Sequence, residues 1–282
     1  MKKEEIRKYQ LSQIELLEET DRICKELNIY YYLIGGTLLG AVRHDGFIPW
    51  DADIDIAMRR EHYEKFREYW KIANSDRYFY AHYSTETNHL SPHALLRIKD
   101  THIKFSTRKT IYNPKNDGIY MDIFPLDEPP MDKNLQKKQM KRIKNIKKII
   151  EFKIGYVYTS TGKLKLLVKK LIQFCLLPFS LPMIYNCLDN TMKKYSGSNS
   201  GYLVSMASHY SYWKQLMTED IYGKPVRVNF EGYDFCAPAE TDKYLKQIYG
   251  DYMKLPPEEK RFSDLNSIEC IDYGKESKGY ND

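Results

Sequence analysis

At 282 residues, 42% apolar and 29% charged, the chain has a globular makeup, long enough for one sizeable core or two smaller ones. The net charge of +6 is local, because 13 Lys and Arg against the single acid Glu151 fall between Lys133 and Lys170 and leave the remainder net acidic. Cys24, Cys175, Cys187, Cys236 and Cys270 are odd in number and contain no Cys-x-x-Cys pair, which argues against a disulfide framework or a zinc ribbon and for a reducing compartment.

Residues 3–27 read as an amphipathic helix, with Leu11, Ile14, Leu17, Cys24 and Leu27 on one side and Asn28 ending it. The opening Met-Lys-Lys-Glu-Glu-Ile-Arg has no apolar signal-peptide core, so a cytoplasmic location is expected. Tyr30 to Ile34 reads as a strand. Gly35-Gly36-Thr37 follows as a turn whose backbone N–H groups can approach a phosphate. Thr37 is expected to cap a short helix to about Arg43, adding the positive end of its dipole to that site. Arg43 suits a phosphate. His44 reads as a hydrogen-bonding brace beside it, and Trp50 as packing. In Asp51-Ala-Asp53-Ile54-Asp55-Ile56, strand alternation puts Asp51, Asp53 and Asp55 on one face and the isoleucines on the other. Three carboxylates on one face repel, and a hard divalent cation relieves that.

Arg59 to Ala73 reads as a helix with Tyr63, Phe66 and Trp70 on its apolar side. His89 and His93 are four apart, but Pro92 between them and the lack of a third ligand argue against zinc. Leu95 to Asp100 reads as a strand with Arg97 and Lys99 on one face, as donor contacts or solvated charges. In Gly118-Ile-Tyr-Met-Asp-Ile-Phe-Pro-Leu-Asp127, a lone acid in an apolar strand, Asp122, is costly unless paired or coordinated. Asp127, past Pro125, is the weaker candidate.

Asn134 to Phe152 reads as a Lys-rich amphipathic helix with Ile143, Ile146, Ile149 and Ile150 inward. Leu171 to Leu188 is apolar but broken by Pro178 and Pro182, so a membrane span is not expected. Lysines beside such a segment suit an anionic membrane surface or a helical layer over the sheet. The block interleaves Ile and Leu rather than aromatic and polar residues with its cations, so no nucleic acid is expected. Ser196 to Gly201 reads as a flexible link. Pro225 to Pro238 reads as a hairpin turning at Glu231-Gly232. Thr241 is expected to cap a helix that Gly250 ends. The tail from Asn266 reads as polar and loose.

A strand, a Gly-Gly turn, a helix and an Asp-x-Asp strand together resemble the nucleotidyltransferase (polymerase β-like) superfamily. The longer strings, Gly35-Gly-Thr-Leu-Leu-Gly-Ala-Val-Arg-His44 and Gly46-Phe-Ile-Pro-Trp-Asp-Ala-Asp-Ile-Asp-Ile56, closely resemble the LicD family of phosphorylcholine and fukutin-type ribitol-phosphate transferases. Met121-Asp-Ile-Phe-Pro-Leu126 and Tyr249-Gly-Asp-Tyr-Met-Lys-Leu-Pro-Pro-Glu-Glu-Lys-Arg261 are similar to further LicD segments. The resemblance spans Leu11 to about Pro129 and Tyr222 to Arg261, with a variable middle. Two departures stand out. Ala52 replaces an Asp of the family's Trp-Asp-Asp-Asp run, and Phe262-Ser-Asp stands where members often carry a histidine.

The resemblance implies an α+β fold: a nucleotidyltransferase-like mixed sheet flanked by helices, with a basic helical middle segment. It implies a catalytic core over residues 1–130, a helical segment facing membrane or acceptor over 131–200, and a C-terminal part over 201–282. Asp53, Asp55 and Asp122 are the implied ligands of Mg2+, with Mn2+ second, and Asp51 is a candidate base. Gly35, Gly36, Thr37, Arg43, His44, Arg97, Lys99, Lys254, Lys260 and Arg261 are the implied substrate contacts. The implied reaction moves a phospho-alcohol, phosphocholine first, from a CDP-alcohol to a glycan hydroxyl or its lipid-linked precursor, at the inner face of the membrane. Nucleotidyl transfer, a non-catalytic glycan-binding member and a membrane-surface scaffold are the alternatives.

Overall fold

A computed structural model describes residues 3–105, 117–154, 172–261 and 268–274. Residues 155–171 of the basic middle segment, and the tail beyond 274, lie outside the described residues. At the centre are five strands, β1 (Tyr32–Leu33), β2 (Asp55–Arg59), β3 (Tyr78–Ala81), β4 (Ala94–Ile98) and β6 (Tyr120–Leu126). They form a mixed sheet of order β1-β2-β6-β4-β3. Only β2 and β6 run parallel, and their register sets Asp55 beside Asp122. Both are central, and Ile56, Ala57 and Met58 of β2 and Met121, Ile123 and Leu126 of β6 are buried. Such strands need cover on both faces.

Helix α1 (Lys3–Glu26) and helix α3 (Arg60–Ile72) flank the sheet. Asn28, at φ 49°, turns the chain out of α1. On α3, Tyr63, Phe66 and Trp70 recur at helical spacing and are buried. Phe66 is fully enclosed, so Phe66→Ala would cost about 3–5 kcal/mol. A two-stranded pair joins β5 (His102–Phe105) to β11 (Ile268–Asp272), so part of the tail expected to be loose is a strand, anchored by buried Ile268. A short pair, β7 (Tyr202–Leu203) with β8 (Met217–Thr218), and the hairpin β9 (Val226–Phe230) with β10 (Tyr233–Ala237), turning at Glu231-Gly232, complete the strands.

Helix α4 (Lys133–Ile154) packs on α5 (Leu181–Met192) through Ile143, Ile146 and Ile150. Ile149, expected inward, is 37% exposed, because it lies away from that seam. No helix among the described residues is long and apolar enough to cross a membrane. The turn after α5 is held rather than slack: Ser198 Oγ donates to Pro129 O, and Asn199 N donates to the Glu128 carboxylate. One hydrophobic cluster takes in Leu17 of α1, Ile56 of β2, Ile143 of α4 and Leu245 near the C-terminus.

Three local expectations change. The glycines are not a separate turn, because helix α2 (Gly35–His44) begins at Gly35 itself. Strand β2 begins at Asp55 rather than Asp51; β1 spans only Tyr32–Leu33 before the chain enters α2, so residues 51–54 lack a ladder on that side. Neither threonine caps. Thr37 turns its hydroxyl to the Asp segment, and Thr241, first residue of α6 (Thr241–Tyr249), donates to Pro238 O.

Candidate active site

The chain from Asp51 to Asp55 is pinned from three sides. Thr37 Oγ1, buried, accepts from Asp55 N (2.8 Å) and donates to Asp53 O (3.3 Å). Ile34 N donates to Asp55 O (3.1 Å), and Asp122 N donates to Ile54 O (2.9 Å). Gln10 and Gln13 of α1 donate side-chain amides to Asp51 O and Ala52 O. Ala52 is buried.

This backbone brings one carboxylate oxygen from each of Asp53, Asp55 and Asp122 within 4.8 Å of the others. No Lys or Arg pairs with any of the three among the described residues. Burial, then repulsion from Asp122, Asp53 and Asp51, pushes the Asp55 carboxyl well above the usual carboxylate range. Asp53 keeps an open edge to solvent yet is hemmed in by protein. That crowding first, and repulsion from Asp51 and Asp122 next, raises it too. The donor set is all carboxylate oxygen, which fits a hard divalent ion rather than zinc.

The glycines meet these acids directly. Gly35 has φ +57°, and a Cβ there would lie 3.1 Å from Asp55 Oδ2. At Gly36 a Cβ would collide with Asp51 Oδ2. The acids therefore lie over the N-terminal end of α2, where the helix dipole favours negative charge. Gly35 N donates to the hydroxyl of buried Tyr244 (3.2 Å).

Beside the trio opens a cleft of about 490 Å3, lined among others by Gly36, Arg43, Trp50, Asp51, Asp53 and Lys254. Tyr210, Tyr249, Asp251 and Tyr252 also line it. Arg43 donates to Tyr252 O (2.7 Å), and burial first, with nearby Arg261, lowers its guanidinium from the ordinary value. His44 lies against Arg43, Nδ1 to Nε 3.4 Å, and edge-on to Trp50. Arg261 stacks on the Trp50 ring, 5.3 Å to its centroid, so the tryptophan is both packing and wall. Lys260 has no described side chain.

Two expected contacts lie elsewhere. Arg97 is buried with its guanidinium on Glu86 (3.1 Å), and Lys99 donates to Ser75 O (2.5 Å). Neither lines the cleft, because both side chains are committed to structural partners. Asp127 is buried against Arg60 and takes no part in the trio.

His93 is the main residue that sequence reading missed. Residues 82–93 form turns rather than a helix, so His89 and His93 do not make a metal pair. His93 Nε2 instead lies 2.6 Å from Asp122 Oδ1, with its ring against Phe124 (centroids 4.0 Å). His89 Nε2 donates to His93 O (2.7 Å). The lone acid in an apolar strand was the only signal that a partner had to exist. Tyr210, Tyr244 and Tyr249 were also missed, hidden in the abundance of tyrosine.

Residues 28–154 match the family model described as LicD/FKTN/FKRP, nucleotidyltransferase domain. The chain is 32% identical over 265 residues to the lipopolysaccharide cholinephosphotransferase LicD of Haemophilus influenzae, covering 92% of this chain and 95% of that protein. It is 40% identical over 52 residues to the ribitol 5-phosphate transferase FKRP of human and of mouse, 17% of this chain and 10% of theirs.

Proposed function

The chain belongs to the LicD family, and from that premise we propose that it moves a phospho-alcohol, phosphocholine first, from a CDP-activated donor to a glycan hydroxyl or its lipid-linked precursor, releasing CMP. We read its sheet as the nucleotidyltransferase (polymerase β-like) fold, on the order strand, glycine-led helix, Asp strand. One observation carries the reading: three carboxylates, Asp53, Asp55 and Asp122, with no Lys or Arg partner among the described residues, converge beside a cleft that also holds Arg43 and Lys254.

Asp53, Asp55 and Asp122 would hold magnesium, or manganese in its place. Bound there, it supplies counter-charge to the donor diphosphate and the leaving CMP. Arg43 and Lys254 bind phosphoryl oxygens from the cleft wall, Arg43 through the guanidinium N–H groups that Tyr252 O and His44 leave free. Asp51 lies in the same cleft and accepts the proton of the attacking hydroxyl. The new bond joins the acceptor oxygen to the phosphorus bearing the alcohol. The bond that breaks is the one from that phosphorus to the oxygen of CMP. His93 holds the Asp122 carboxylate in place through its ring N–H, as outer partners of ligating carboxylates do.

The test is product analysis with CDP-choline, Mg2+ and a glycan acceptor. CMP and a phosphocholine-bearing glycan are expected. Pyrophosphate as product would identify nucleotidyl transfer instead, and no magnesium-dependent turnover of any CDP-alcohol would identify a binding protein. A thermal-shift series with the choline, ribitol, glycerol and ethanolamine donors ranks the alcohols.

A further inference from the structure

The outer face of α4 is cationic along most of its length. Lys137, Lys141, Lys144 and Lys148 recur at four, three and four and make one stripe, with Lys138 and Arg142 beside it. All six are exposed, on the side away from Ile143, Ile146 and Ile150. Among the described residues no carboxylate pairs with any of them.

Against the last turn of this helix lies an apolar patch. Phe174 is 69% exposed, Leu177 65%, Phe179 48% and Met183 57%. The segment is held in place. Gln173 Nε2 donates to Phe152 O (3.1 Å), Lys153 Nζ donates to Leu176 O (2.9 Å), and Ser180 caps α5. Four large apolar side chains exposed within one held stretch, Phe174 to Met183, mark a docking surface.

The neighbouring charge says what covers it. A second copy of the chain would bring a second set of unpaired lysines against the first. A nucleic acid would engage the cations and leave the phenylalanines in water. An anionic bilayer takes both: headgroups meet the lysines, and the apolar residues enter the boundary with the acyl chains.

We propose that α4 and the 172–183 segment dock on an anionic lipid surface, with Phe174, Leu177, Phe179 and Met183 inserted. The inference goes beyond the transfer chemistry, because docking needs no donor. It also bears on the site. Lys147, on the same helix, donates to Ala207 O (3.1 Å) and Ser208 O (2.8 Å), and so holds the segment that carries Tyr210 to the cleft.

Flotation of the full chain with vesicles of phosphatidylcholine alone, or mixed with phosphatidylglycerol, tests this without donor or metal. Binding to the mixed vesicles is expected, with a loss of about tenfold at high salt as the cations are screened. Lys137→Glu with Lys141→Glu, and separately Phe174→Ser with Phe179→Ser, should each reduce binding about tenfold with an unchanged melting temperature. The emission of a Phe179→Trp variant should shift to the blue on mixed vesicles and be quenched by brominated lipid, which keeps the test open if the serine variant misfolds. Three results overturn the proposal. The first is no binding to mixed vesicles. The second is binding that the lysine changes abolish while the serine pair leaves it intact and the Phe179→Trp emission stays unshifted, which marks a general polyanion surface. The third is a dimer in sedimentation that the serine pair dissolves. Donor hydrolysis in solution should be unchanged in all these variants, so failure here leaves the proposed reaction standing.

Discussion

The two ends of the β2–β6 pair carry carboxylates under opposite conditions. At one end Asp55 and Asp122 lie side by side with Asp53, and among the described residues no guanidinium or ammonium meets them. At the other end Arg60, just past β2, takes both oxygens of Asp127, just past β6, at 2.7 and 2.8 Å, and reaches Asp189 of α5 at 2.8 Å. Lys193, the Tyr83 hydroxyl and Glu64, which meets Arg60 at 3.2 Å and also pairs with Arg67, belong to that second cluster. Burial works against ionisation of Asp189, but Arg60 and Lys193 outweigh it and hold its carboxyl below the usual range. The same strands thus carry an ion-paired cluster that ties them to the helical layer and an acidic one that no Lys or Arg among the described residues meets. Clustered carboxylates without a basic partner are a hallmark of functional sites.

The largest expected effect breaks the acidic end. Asp53→Asn or Asp55→Asn should lower turnover by at least about 10^3-fold, measured as CMP release, while the melting temperature without metal holds or rises because repulsion is relieved. Turnover near that of wild type in either variant would sink the proposed chemistry. Next comes the ion-paired end. Asp127→Ala leaves Arg60 buried without its main partner and should cost about 3–5 kcal/mol in urea unfolding. The folded fraction should keep its donor affinity.

A third change separates His93 from its role in packing. His93→Gln, able to donate to Asp122, should bind Mn2+ more tightly than His93→Ala, whose affinity should fall about tenfold, read by paramagnetic resonance. Equal affinities would make the ring a packing element only. The smallest effect is on pH dependence. Asp53 and Asp55 have folded values raised above their unfolded ones, so the native state binds more protons, and metal-free stability falls as pH rises through that window. Asp189 has the opposite sign, and its contribution is lost as pH falls. Melting temperatures from about pH 5 to about pH 8 should therefore show Mg2+ stabilising more at the higher pH.

Much of this was legible in the residues. Alternation set Asp51, Asp53 and Asp55 on one face and the apolar strand marked Asp122 as an acid in need of a partner, but it was the LicD resemblance that selected Asp53, Asp55 and Asp122, which the structure brings together. The hairpin was legible in Glu231-Gly232, and α3 in its aromatic spacing. What the sequence hid was partnership across distance. Nothing in the local pattern ties Arg97 to Glu86 or His93 to Asp122, since each pair joins segments that meet only when the sheet forms. Thr37 was misread for the same reason. A threonine after two glycines looks like a cap, until the Asp segment arrives to claim its hydroxyl.

The parallel pairing of β2 with β6 has a kinetic consequence. Asp55 and Asp122 belong to segments far apart along the chain, joined by a crossover that holds α3, β3, β4 and β5. Loop closure of that size comes late, after the local helices and hairpin have formed. Refolding followed by a metal-sensitive dye should therefore show the ability to capture an ion appearing only with the last phase of collapse, well behind the helical signal.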